Sequence, residues 1–363
     1  MQVKQLPLVE SPIRGYMMYS YHLGVTFSHI NAWPWFFTNY VQLQCKPEQL
    51  QLSDFLDCTH MAKGEIHFTE GTSPYNPWLS GSTRLDQTTI DESGWTLSRY
   101  VVDSLKNDFY VETYIDEYYI PALFNGETNH FGHRLLVFGF DEARQTFDII
   151  GFDKNSQYKR VECSYAALDA AFTGITPQIP ERTRLFKPSA AALPASTFDA
   201  SKFVNVLNEY LSSKNTLLNP DLRGDLKADT ELWYGLRTYD FLGEYVKQSI
   251  EAKSNGVNTG LDFRGFHTMW EHKKCMLDRL KWLTGAGYHI TEPTLTQYAK
   301  VVSLSEIACS RVVMCRRGLL PPGKGHLDEV PRLLQTAKTV EADALHAIAE
   351  IVTRQRGKFE SVK

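Results

Sequence analysis

Much is missing from this sequence, and each absence excludes something. No stretch approaches the ~20 consecutive apolar residues of a membrane-spanning helix. The opening residues, Met1-Gln-Val-Lys-Gln, lack the apolar core of a secretion signal. A cytoplasmic protein with no membrane partner is therefore expected. Charge of one sign is not in excess, since 38 Lys and Arg face 42 Asp and Glu for a net charge of −4. That balance gives no basic surface for nucleic acid and no charged tail. Cysteine is sparse, at positions 45, 58, 163, 275, 309 and 315, and no two form a Cys-x-x-Cys pair. Such scatter points to free thiols in a reducing compartment. Repeats of fixed period and low-complexity segments are also absent.

Aromatic residues, by contrast, are plentiful, with 18 Tyr, 20 Phe and 7 Trp in 363 residues. Such side chains build cores and also line grooves for organic ligands. A chain of this length holds about two domains, and its composition shifts near the middle. Residues 1–190 mix short helical and strand-like segments, the pattern of an α+β domain. Residues 191–363 read as helix almost throughout. A proline-punctuated stretch with Pro177, Pro180, Pro188 and Pro194 marks the boundary near residue 190.

In the first part, Leu23, Phe27 and Ile30 recur at helical spacing over 20–32. Further helices are expected over 95–106 and over 164–172, the latter capped by Ser164. Strands are expected over 64–69, 109–115, 133–140, 147–153 and 183–187. In the second part, apolar residues recurring every three to four positions predict helices near 199–213, 229–250, 262–284, 293–316 and 326–354.

Two of the strands read as a hairpin: His133-Arg-Leu-Leu-Val-Phe-Gly-Phe140, a polar turn, then Phe147-Asp-Ile-Ile-Gly-Phe-Asp153. Alternate side chains of a strand share a face. If 141–145 form the loop, Phe140 pairs with Thr146, and His133 pairs with Asp153. Cross-strand neighbours have Cβ atoms about 4.5–5.5 Å apart, near enough for a carboxylate to orient an imidazole. A slip of one residue would put the two on opposite faces. A general base needs such a carboxylate to fix its tautomer and to stabilise the imidazolium it becomes. The alternative is a solvated histidine at a strand end and an aspartate opening the Asp153-Lys-Asn-Ser turn.

These residues carry a resemblance. Phe131-Gly-His133-Arg-Leu-Leu-Val-Phe-Gly-Phe-Asp141 with Phe147-Asp-Ile-Ile-Gly-Phe-Asp153 resembles the His and Asp strands of papain-like proteins, among them the bacteriocin-processing cysteine peptidases. With Tyr114-Ile-Asp-Glu-Tyr-Tyr-Ile-Pro upstream and a helical second half, the chain resembles more closely the butirosin biosynthesis protein H family of secondary-metabolite clusters. The pattern extends over residues 15–175. The resemblance implies a papain-like domain followed by an all-helical one. It also implies an acyltransferase of nonribosomal-peptide or related biosynthesis, moving an acyl or peptidyl group from a carrier-protein thioester to a small-molecule amine. His133 matches the family's base and Asp153 its orienting acid.

The family's nucleophile is a cysteine at the start of the first helix. Here that region reads Met17-Met-Tyr-Ser20-Tyr-His-Leu-Gly24, and Ser20 is the nearest competent residue. A helix start suits a nucleophile, because free N–H groups stabilise a developing oxyanion. Serine is equally a favoured N-cap. Three readings stay open: a serine nucleophile, a helix cap, or a position that has lost its cysteine. A thioesterase or peptidase-like hydrolase, or an inactive partner protein that binds a carrier protein, are the alternatives to transfer. The expected mechanism uses no cofactor beyond the phosphopantetheine arm of the substrate.

Other constellations are less specific. His22, on the same helix, is a lesser candidate. Glu127, His130 and His133 lie close in sequence but lack an evident further zinc ligand. Gly318-Leu-Leu-Pro-Pro-Gly323-Lys324-Gly325 nearly spells a phosphate loop, yet has Gly where a hydroxyl should hold Mg²⁺ and no preceding strand. His267 and Glu271 are expected as a surface pair on a helix. Arg311, Arg316, Arg317 and Lys324 offer either a phosphate contact or a solvated face. Trp33-Pro-Trp-Phe-Phe-Thr-Asn-Tyr40 reads as core or as a groove wall.

Overall fold

A computed structural model describes residues 2–47, 67–68, 76, 78–85, 90, 92–155, 157–175, 183–189, 197–214, 232–256, 261–320 and 325–355. It is α+β, with helices and antiparallel strands. The chain divides into two units, Met1–Ala32 with Thr72–Ala195, and Trp33–Gly71 with Ser196–Lys363. Segment 33–71 thus groups with the second unit, although composition alone places it with the first part.

The strands of the first unit are β1 (Val3–Gln5), β2 (Leu79–Leu85), β3 (Tyr110–Asp116), β4 (Gly132–Asp141), β5 (Thr146–Phe152), β6 (Tyr158–Ser164) and β7 (Thr183–Pro188). They form one antiparallel sheet in the order β2-β7-β3-β4-β5-β6, with β1 pairing to the far end of β4. Its helices are α1 (Met17–His29), α2 (Leu97–Lys106) and α3 (Tyr165–Thr173). Thr96 caps α2 and Ser164 caps α3, each accepting a backbone N–H of the first turn.

Strand alternation assigns the helices to faces. Tyr110, Glu112, Leu136 and Phe186 share one face, because Glu112 pairs with Leu136 and Tyr110 with Phe186. Helix α1 covers that face: His22 Nε2 lies 3.2 Å from Glu112 Oε2 and its ring meets Phe186 edge-on at 4.8 Å. The opposite face carries Val137, Ile149, Phe140 and Phe147, and it meets α2 and α3. Phe147 stacks on Tyr165 at 4.3 Å, and the Lys106 ammonium sits 5.8 Å over Phe140. Helix α1 is buried on all sides before its last turn, with Tyr19, Tyr21, Leu23, Val25 and Thr26 at most 1% exposed.

The hairpin register differs from expectation by one residue and then recovers. Asp141 pairs with Thr146, so the loop is four residues long. Asp141 Oδ1 tightens it by accepting the N–H groups of Ala143 and Arg144. An irregularity at Phe138 takes up the extra residue, so Leu136 pairs with Ile150 and Val137 with Ile149, in the expected register. Beyond Leu136, β4 leaves β5. Leu123 bridges to Asp153, and Phe124 N–H donates to Phe152 O at 2.9 Å. This returning segment takes the place beside β5 that His133 was expected to fill.

The second unit is built of helices Trp33–Asn39, Ala200–Ser212, Arg237–Ser254, Arg264–Gly285, Glu292–Arg316 and Val330–Gln355. It is not wholly helical, because Leu43–Cys45 pairs with both His67–Phe68 and Trp233–Tyr234. The expected strand over 64–69 is described only at these two residues. Buried polar groups tie segment 33–45 to the helices. Arg279, fully buried, donates to the carbonyls of Phe37 at 2.6 Å and Tyr40 at 2.8 Å, and His272 Nε2 donates to Val41 O at 2.7 Å. Phe36, Phe37 and Tyr40 are at most 3% exposed and belong to the core, whereas Trp33, at the start of this aromatic run, is 38% exposed. Among the described residues, no helix is long and apolar enough to cross a membrane.

Candidate functional site

The end of β3 and the start of β4 bring a carboxylate to His133. Asp116 closes β3, and its Oδ1 accepts the N–H groups of Tyr118 at 3.1 Å and Phe131 at 3.0 Å. Glu117 N–H donates to Phe131 O at 2.9 Å. The chain therefore leaves and returns at one fixed point, and a short 3-10 turn, Glu117–Tyr119, starts there. The segment between is tightly coiled: Glu127 N–H donates to Tyr118 O at 2.9 Å, and Gly126 N–H to Leu123 O at 3.0 Å. Gly126 is required, since a Cβ there would lie 2.3 Å from Ile120 O.

In this frame His133 Nδ1 lies 2.7 Å from Glu117 Oε1. The other oxygen, Oε2, accepts Asn125 Nδ2–H at 2.6 Å. A carboxylate only accepts, so Nδ1 donates; in the neutral tautomer this contact selects, Nε2 has the lone pair. The Glu117 side chain is 5% exposed and that of His133 31% exposed. The orienting acid is thus buried and doubly held, while the imidazole reaches solvent.

Asp153, expected in that role, does not orient His133. Its carboxylate takes Lys159 Nζ at 2.6 Å and caps its own turn, accepting the N–H groups of Asn155 at 2.9 Å and Gln157 at 2.8 Å. The Lys159 ammonium, with these amides, holds its pKa below the usual carboxylate range. The cause is the departure of β4 from β5, which leaves Leu123 as the cross-strand partner of Asp153.

Ser20 is neither a cap nor a partner of His133. The N-cap of α1 is Tyr16, and Ser20 N–H already donates to Tyr16 O at 3.1 Å, which removes that amide as an oxyanion donor. Its hydroxyl donates to the Tyr158 hydroxyl, and Ser20 is 3% exposed. Burial pushes the Tyr158 pKa well up, so the phenol stays protonated and does not draw off the serine proton. Tyr158 pairs with Phe152, two residues along from Ile150 and Leu136, which places Ser20 on the α1 face of the sheet. His133 pairs with Ile115 and belongs by alternation to the opposite face, that of α2 and α3.

The remaining candidates resolve as structure. His22 is 1% exposed and belongs to an ionic cluster in which Arg134 Nη1 lies 3.1 Å from Glu112 Oε1. Burial raises the Glu112 carboxyl, but His22, Arg134 and Arg184 outweigh it and bring the pKa to about 2. His130 Nδ1 sits 2.6 Å from Asp116 Oδ2 and its ring stacks on Tyr118 at 4.2 Å. The two histidines of the 127–133 segment thus engage different carboxylates, and among the described residues no group of three or more metal ligands gathers. His267 and Glu271 are 3.5 Å apart, but Glu271 is buried and only His267 reaches the surface. Arg311 is taken by Glu329 at 2.5 Å, and Arg316 lies over the Phe263 ring at 5.2 Å. Lys324 lies outside the described residues, as does Cys58.

Glu117 and Asn125 were not singled out from the sequence. The available signal was the acidic pair Asp116-Glu117 at the end of a strand, sixteen residues before His133. A scan of the chain against models of protein families finds no match, and a search of curated proteins finds none either.

Proposed function

We propose that the protein is an acyltransferase in which His133, oriented by Glu117, is the general base. The donor is a thioester on the phosphopantetheine arm of a carrier protein, and the acceptor is a small-molecule amine in the cytoplasm. The observation that carries the proposal is the 2.7 Å contact of His133 Nδ1 with a buried carboxylate, on an imidazole that is itself 31% exposed. The resemblance of the 131–141 and 147–153 strands to papain-like proteins supplies the class of reaction.

The proposed chemistry needs no serine nucleophile. The amine attacks the thioester carbonyl, and a C–N bond forms. His133 Nε2 takes the ammonium proton, and Glu117 stabilises the imidazolium. The tetrahedral intermediate expels the thiolate, the C–S bond breaks, and the imidazolium returns the proton to sulfur. Products are an amide and the free carrier thiol, and His133 ends as it began.

Removing a positioned general base lowers the rate by about 10²–10⁴-fold. His133→Gln is therefore expected to abolish aminolysis of an acyl thioester to that extent, and Ser20→Ala to leave it within a few-fold of wild type. Amide and thiol are quantified with and without the amine. Acid as the main product in the presence of amine would make the protein a hydrolase. Turnover unaffected by His133→Gln would sink the proposal.

A further inference from the structure

We infer that the acyl group the site receives is apolar and packs on Phe131; this rests on His133 as the base. In the first unit, the exposed large apolar side chains among the described residues are Val3, Val9, Phe124 and Phe131. A scattered exposed apolar residue needs no explanation. Phe131 is different because of where it stands and how it is held. It is 48% exposed, and its ring centroid lies 5.4 Å from that of His133. Its N–H donates to Asp116 Oδ1 and its carbonyl accepts the N–H of Glu117, so its backbone is fixed on both sides.

A carbonyl carbon under attack by an amine that His133 deprotonates must lie close to the imidazole. The carbons that follow it then fall within reach of the Phe131 ring. The neighbouring carboxylates already carry partners: Glu117 holds His133 and Asn125, Asp116 holds His130 and two amides, and Asp153 holds Lys159. A polar acyl chain would lose water there and find these acceptors engaged, whereas an alkyl or aryl chain loses nothing and covers the ring.

Phe124 is the internal control. It is 50% exposed and sits in the turn that follows the Leu123–Asp153 bridge, where its N–H donates to Phe152 O.

The test compares octanoyl and acetyl thioesters of N-acetylcysteamine with one amine. Wild type is expected to prefer octanoyl in kcat/KM by about tenfold or more, the worth of covering an apolar chain. Phe131→Ala should lose most of that preference, and Phe124→Ala should keep it. A second readout is binding of the unreactive octyl ketone, with sulfur replaced by CH₂, expected about tenfold weaker in Phe131→Ala. Turnover without chain-length preference, or equal losses on both thioesters in Phe131→Ala, overturns the inference and leaves the base standing. Phe131-dependent binding of the ketone with no turnover of either thioester supports the apolar contact and removes the base. Binding that is the same in wild type and Phe131→Ala overturns the inference whatever the turnover.

Discussion

At the scale of single residues, an acid's role is set by what else competes for it. Asp153 has the right spacing to serve His133, yet a lysine and two turn amides take its oxygens. Glu117 has no such local claims and is left for His133 and Asn125. Glu112 shows the same competition in a buried setting. Its pKa of about 2, held down by His22, Arg134 and Arg184 against burial, ties stability to pH. A depressed carboxylate contributes fully above its unfolded pKa of about 4.3, and the contribution is lost as pH falls through about 2. Glu112→Gln leaves the arginines without their counter-ion and is expected to cost about 3 kcal/mol at neutral pH. In urea denaturation the gap between wild type and variant should narrow as pH falls from about 4.3 to about 2; a constant gap across that window would contradict this. His133 was legible because a strand-end histidine leads a continuous apolar run. Glu117 was not, because its partner is sixteen residues away and meets it only through a 3-10 turn.

At the scale of elements, periodicity located most helices, and tertiary pairing decided the strands. Ser164 was recognisable as a cap because it stands directly before an apolar helical run. Ser20 looked like one, but the helix begins three residues earlier, at Met17, and its start is extended backbone at Tyr16 with no side-chain cap. Edge strand β6, Tyr158–Ser164, is mostly polar and partly exposed, so alternation gave no signal for it. The hairpin carries a similar lesson. Its register was right at Leu136 and Val137 because an irregularity at Phe138 offsets a shorter turn. Its end was wrong because a segment distant in sequence, Leu123 and Phe124, pairs there instead.

At the scale of the molecule, the unit boundary does not follow the composition. Residues 33–45 read as part of the first half, but their apolar side chains fill the interior of the second unit. Phe36, Phe37, Tyr40, Val41, Leu43 and Cys45 are each at most 3% exposed. Withdrawing them would forfeit on the order of 10 kcal/mol of apolar burial, comparable with the whole stability of a domain. It would also strip Arg279 and His272 of their carbonyl partners. A fragment of residues 196–363 alone is therefore expected to show no cooperative thermal transition by circular dichroism. The same fragment with residues 33–71 joined to it should regain one. A sharp transition in the shorter fragment would show that the segment is dispensable.

The central claim, that Glu117 and not Asp153 orients His133, is tested most directly by proton NMR of the imidazole. In wild type the Nδ1 proton of His133, identified by its loss in His133→Gln, should appear strongly deshielded by its carboxylate partner. Asp153→Asn and Ser20→Ala should leave that resonance in place, while Glu117→Gln should move it upfield. A resonance that persists unchanged in Glu117→Gln and vanishes in Asp153→Asn would contradict the account.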